Sequence, residues 1–244
     1  MSSEADAIQD SIRYLASDEA MRSLESDTYW PKWHSPWWHM TTLHEMGLAD
    51  LIPKATVRKM VEHLQEDGML EASCHCALGN IYQTLAACGV AVDEELPGIR
   101  PWFLRHQLPD GGLNCDDAAY LSESKPSSLV GTLPPLEAVL FHTPREFTPE
   151  EAAFLDRGAS CVLDRKLMLG SRSPDNAEER EDEPDWLKPC FPRLYLYDVL
   201  RGLRFIVQWA KRRRQPLPLE NIRDVVDYLR LRYPDGQVLS LIHI

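Results

Sequence analysis

The chain has 244 residues, 44% hydrophobic and 26% charged, with a formal net charge of −12. That length buries one sizeable core, so a single domain over residues 1–237 is expected. The acidic balance excludes general nucleic-acid binding and docking on anionic membranes, and no apolar run approaches the length of a membrane span.

The polar, acidic start from Met1 to Asp10 is unlike a signal peptide, and the six cysteines show no disulfide framework, so a cytoplasmic protein is expected. A helix is predicted near 5–24 and another over 35–46, with Ser35 as N-cap and Pro36 at the first helical position. Val57, Met60, Val61 and Leu64 follow the helical i, i+3, i+4, i+7 spacing, as do Leu78, Ile81, Tyr82 and Leu85, the latter helix closing at Gly89. A further helix is predicted near 128–140. Thr148-Pro149-Glu150-Glu151 is a capping box opening a helix that carries Ala152, Leu155, Ala159 and Val162. Ser171 to Asp185, acidic and with two prolines, reads as a solvated loop. The longest stripe runs Leu196, Val199, Leu200, Leu203, Val207, Ala210 and ends in the basic cluster Lys211 to Arg214, where cations complement a helix dipole. After Pro216 and Pro218 a last helix carries Ile222, Val225, Val226 and Leu229. No strand alternation interrupts this pattern, so the chain is expected to be all-α, built of helical hairpins. The tail 238–244 reads as non-native or truncated sequence.

The most specific motif is Gln107-Leu108-Pro109-Asp110-Gly111-Gly112-Leu113-Asn114 at an aromatic-rich helix end. Its glycines can take positive φ, its Gln can bond exposed helix carbonyls, and its Asp can close the turn. Asp67-Gly68 and Asp235-Gly236 follow other helix ends in the same way, so the hairpins read as degenerate repeats. This pattern resembles the repeat of the squalene cyclases and protein prenyltransferases, the terpenoid cyclase superfamily. The resemblance implies an α/α toroid, incomplete at the C-terminus, around a cavity that binds an apolar or isoprenoid-like small molecule. Cyclase- or transferase-like chemistry is one implied role; a non-catalytic scaffold for a protein partner is the other.

Candidate site residues follow from both lines. Trp30, Trp33, Trp37 and Trp38 concentrate aromatic surface, and Trp37 and Trp38 are candidate ligand-binding faces or simple packing. His34, His39 and His44 recur at intervals of five, which do not stay on one helix face, so no metal trio is expected; His44 beside Glu45 is kept as a ligand-binding or acid/base candidate. Asn114-Cys115-Asp116-Asp117-Ala118-Ala119 resembles the acid motif of squalene-hopene cyclases, with Asn114 in place of its first Asp and Ala118 in place of its Thr. Asp116 and Asp117 are therefore weak acid candidates. The segment Arg193 to Leu203 resembles the prenyltransferase helix that carries a zinc histidine, yet that histidine would fall near Tyr195, and no Asp-x-Cys opens an earlier helix. No zinc-activated thiol is thus expected, and no cofactor. Tyr195 and Tyr197 remain ligand-binding candidates and Asp198 a catalytic one, with pairing of Asp198 to Arg193 or Arg201 as the alternative. Cys74-His75-Cys76 is C-x-C, and no second pair with zinc-site spacing follows it, so no metal is expected there either.

Overall fold

Apolar residues at helical spacing become helices through most of the described residues. The computed structural model describes residues 4–66, 74–121 and 126–238, which contain fourteen α-helices and no strand. In chain order these are α1 (Glu4–Leu15), α2 (Asp18–Ser26), α3 (Pro36–Glu45), α4 (Lys54–Glu66) and α5 (His75–Ala87). Then come α6 (Val92–Glu95), α7 (Ile99–Arg105), α8 (Ala118–Leu121), α9 (Leu129–His142) and α10 (Pro149–Asp164). Two short helices, α11 (Ala177–Glu181) and α12 (Glu183–Trp186), precede α13 (Val199–Arg213) and α14 (Leu219–Arg232). No helix among the described residues is long and apolar enough to cross a membrane.

Local chemistry sets the boundaries. Thr148 and Glu151 exchange both capping-box bonds at the start of α10. The one helix expected near 5–24 is two, because the Ser17 hydroxyl accepts the Ala20 N–H and starts α2 anew. Likewise α13 begins at Val199 rather than Leu196: Asp198 takes extended backbone (φ −140°, ψ 162°) and its carboxylate accepts the Arg201 N–H. Ser35 precedes α3 but caps nothing with its side chain, whose hydroxyl donates to the carbonyls of Thr28 and Tyr29 instead.

Helices α5 and α9 form the centre. The first is buried from His75 to Leu85, and the second over nearly all of its length. Their backbones touch at Gly79, where a Cβ would lie 2.4 Å from the carbonyl carbon of Pro134. Helix α3 packs on the other side of α5, α13 packs on α9, and α10 packs across both α9 and α13. Helices α2 and α4 pack on each other, with α2 also against α3; α7 packs on α5 and α10, and α14 on α10.

The Gln107–Asn114 turn follows α7 and is tied to α10 and to Ser127. Gln107 donates to the Gly111 carbonyl and also to that of Phe154 in α10, while Arg157 donates to the Gln107 amide oxygen. Asp110 accepts from Gly112, from the backbone and hydroxyl of Ser127, and from Arg165. Gly111 has φ 91°, and a Cβ there would meet the Arg157 carbonyl oxygen at 2.3 Å, so conformation and space both require glycine. The acidic segment 171–185 holds α11 and α12, and its Glu179 is buried, accepting from Leu129 and Ser171 and pairing with Arg165. The Asp67-Gly68 turn and the tail from 239 onward lie outside the described residues.

Gly79→Ala is expected to force α5 and α9 apart and to cost about 1–3 kcal/mol, the usual range for overpacking. A urea titration would show a lower midpoint with unchanged slope; an unchanged midpoint would mean that the two backbones do not meet as described.

Candidate functional site

The second half of α3, the middles of α5 and α9, and the start of α13 face one another across a cavity of about 290 Å³. Each contributes polar side chains: Thr41, His44 and Glu45 from α3, Asn80 and Gln83 from α5, Glu137 from α9, and Arg201 and Arg204 from α13, with Arg193 from the preceding segment. Arg201 uses all five of its donors. Its Nε and Nη2 donate to Glu137 Oε2 at 2.9 and 2.7 Å, Nη2 also reaches Asn80 Oδ1, and Nη1 donates to the carbonyls of Leu194 and Leu196. Arg193 pairs with Asp198 at 3.0 Å. Glu45 accepts the backbone N–H groups of Arg193 and Leu194, and burial raises its carboxyl above the usual range against the pull of Arg201. Arg193 and Arg201 thus each have a carboxylate, whereas Arg204 is exposed and lies over the Phe141 ring. One atom is left over: Glu137 Oε1 is buried without a partner.

Between α1, residues 33–42 and residues 192–196 lies a larger cavity of about 510 Å³ lined by Ser11, Trp33, Trp38, His39, Thr42, Pro192, Leu194 and Leu196. The indoles of Trp33 and Trp38 lie 4.6 Å apart, and Tyr195 stacks on Trp33 with an interplanar angle of 18°. The Trp38 N–H is satisfied by the Tyr29 carbonyl at 2.9 Å. Two non-glycine residues of this wall, Trp33 (φ 71°) and Leu194 (φ 56°), hold left-handed backbone, a conformation that costs a β-carbon residue about 1–2 kcal/mol.

The residues singled out from sequence therefore divide. Trp38 lines the aromatic cavity, Tyr195 packs against the Trp33 and Trp38 rings without being part of its lining, and His44 lines the polar one. Trp37 is 1% exposed and packs edge-on to Tyr29 in the core. Tyr197 is buried on the far side of the 190–198 segment, its hydroxyl donating to the Leu167 carbonyl at 2.6 Å and its ring edge-on to Trp186. Asp198 is fully buried as the N-cap of α13, bonded to Arg193, Arg201 and the Cys190 N–H. It lies behind the polar cavity rather than in it. Tyr195, Tyr197 and Asp198 all precede α13 instead of riding on it. Asp116 and Asp117 are exposed in the turn before α8, where Asp116 accepts the Ala118 N–H, and they line neither cavity.

Sequence reasoning passed over Asn80, Gln83, Glu137 and Arg204. One signal was present: Glu137 is the lone charge within the otherwise apolar Leu129–Leu140 run, a placement that requires a buried partner. Comparison with protein-family models, with curated proteins and with solved structures finds no match to this chain.

His44 and His142 face one another with ring centroids 6.4 Å apart. Burial lowers both, with Arg204 acting on each and the His44 ring further opposing His142, which falls to about 4 from an ordinary 6.5. Between those values the unfolded chain binds more protons than the folded one, so stability falls as pH drops from 6.5 toward 4. His142→Gln is expected to flatten this fall by up to one proton, read from urea midpoints between pH 7 and 4.5. Parallel curves for the variant and the native chain would contradict the assignment.

Proposed function

We propose that this chain is an α/α-toroid-like protein that binds an apolar, isoprenoid-like small molecule against Trp33, Trp38 and Leu194. Support for the toroid comes from alternation along the chain: α3, α5, α9 and α13 surround the polar cavity, while α4, α7, α10 and α14 fall between or after them on the outside. Squalene-cyclase-like repeats imply the same arrangement.

The observation that carries the binding reading is the strained aromatic wall. Two residues of one cavity hold left-handed backbone without being glycine, and strain of that kind persists where surrounding contacts over-determine it and gathers at ligand sites. The cavity has the volume of an ordinary small-molecule site and presents two indole faces and three aliphatic or proline side chains. Thr42, His39 and Ser11 at its edge offer hydrogen bonds to a single polar end group. The polar cavity behind it supplies rigidity through the Arg201–Glu137 and Arg193–Asp198 pairs, which are held by their own hydrogen bonds. Binding is favoured over acid catalysis, because Asp116, Asp117 and Asp198 do not meet at either cavity.

One observation favours a second reading. The unpartnered Glu137 Oε1 would accept a hydrogen bond from a hydroxyl or amine placed in the polar cavity.

Trp33→Gly separates the readings, since it removes the indole and relieves the positive φ. The variant is expected to be at least as stable as the native chain, yet to lose about tenfold or more in affinity for farnesol or squalene, close to 1.4 kcal/mol. Native mass spectrometry and tryptophan quenching would report it. Unchanged affinity in Trp33→Gly would remove the aromatic site, and binding abolished by Glu137→Leu alone would favour the polar cavity.

A further inference from the structure

Three of the six cysteines meet at one point although they are distant in sequence. The thiols of Cys74, Cys76 and Cys115 all lie within 4.8 Å of one another, with Cys76 buried and the other two half-buried. Cys74 is the N-cap of the thirteen-residue α5 and Cys76 sits in its first turn, so C-x-C delivers both sulfurs to one helix end. The third comes from the turn after Gly111-Gly112, where Cys115 Sγ accepts the Cys76 N–H at 3.3 Å.

Hydrogen bonds around the thiols hold these two segments in register. The Tyr120 hydroxyl lies 2.8 Å from Nε2 of His75, the residue between the two α5 thiols, and 3.0 Å from both the N–H and the carbonyl of Asn114, the neighbour of Cys115. Asn114 is fixed in turn by donation to the Pro126 carbonyl. Such outer contacts orient ligand-bearing segments in metal sites. Two sulfurs on one tetrahedral zinc stand about 3.8 Å apart, given Zn–S near 2.3 Å, so closing the cluster on a metal needs shifts of an ångström or less.

We propose that Cys74, Cys76 and Cys115 bind one zinc ion through three thiolates, leaving a fourth position for water or an exogenous ligand. Binding releases three thiol protons to solvent and leaves one net negative charge, placed at the positive end of α5. A monovalent soft cation would leave two negative charges in the same half-buried space, which favours the divalent ion. This is not where the prenyltransferase resemblance would put zinc; that place falls near Tyr195. Three protein ligands with an open position are the pattern of reactive rather than purely structural zinc.

The test uses the full chain purified without chelator under reducing conditions. Elemental analysis is expected to find one zinc per chain, and cobalt(II) in its place to give a thiolate-to-cobalt charge-transfer band. Cys74→Ser, Cys76→Ser and Cys115→Ser should each weaken zinc binding at least a hundredfold, while Cys88→Ser should leave it unchanged. Should the variants misfold, alkylation rates of the native chain decide: zinc should protect Cys74, Cys76 and Cys115 and leave Cys88, Cys161 and Cys190 unaffected. Absence of both zinc and the cobalt band, protection of a different set, or a disulfide within the cluster in freshly reduced protein would each overturn the proposal.

Discussion

Arg201 is the interaction on which the interior depends. It is 5% exposed, and its five N–H donors reach Glu137 in α9, Asn80 in α5 and two carbonyls of the segment before α13. Its own backbone N–H caps onto Asp198. A buried guanidinium tolerates no vacant donor, so this one residue specifies the relative placement of three helices and one loop. A second buried arginine, Arg100 of α7, performs the same service one half-turn along α5, bonding Asp93, Tyr82, Thr143 and Glu151.

The polar interior and the aromatic cavity are mechanically linked. Glu45 holds the N–H groups of Arg193 and Leu194, and Arg201 holds the carbonyls of Leu194 and Leu196. Leu194 is therefore gripped on both its polar groups, and that grip offsets its left-handed backbone. The outcome is a wall whose aliphatic side chains face the indoles of Trp33 and Trp38 while its backbone faces charge. Isolated buried ion pairs are weak sources of stability but good sources of specificity, and here the specificity is that of a cavity wall.

Local chemistry was legible in the sequence; long-range pairing was not. Thr148-Pro149-Glu150-Glu151 announced the start of α10, and Gln107 to Asn114 announced a turn whose Gln and Asp do bond as their chemistry demands. The pairing of Asp198 with Arg193 followed from the need of a buried carboxylate for a cation. By contrast, nothing in the spacing joins Glu45 to Leu194 or Arg201 to Glu137, which are brought together across 149 and 64 positions only by the fold. Cys115 shows the same limit: its neighbours Asp116 and Asp117 drew attention as acids, whereas its own partners lie 39 or more positions earlier. The break at Ser17 was hidden by apolar periodicity that continues through it, and the extended Asp198 was hidden by the Leu196–Ala210 stripe. In both cases a capping side chain overrode the pattern.

Native-state hydrogen exchange on Arg201→Lys tests most directly whether the buried guanidinium holds the cavity wall. Lysine keeps the charge beside Glu137 but lacks the planar fork that reaches two carbonyls at once. Amides of residues 193–196 are expected to exchange about tenfold faster or more, the equivalent of roughly 1.4 kcal/mol, while those around the Gln107–Asn114 turn keep their rates. Equal exchange of residues 193–196 in the variant and the native chain would show that the wall stands without Arg201, and would contradict the account.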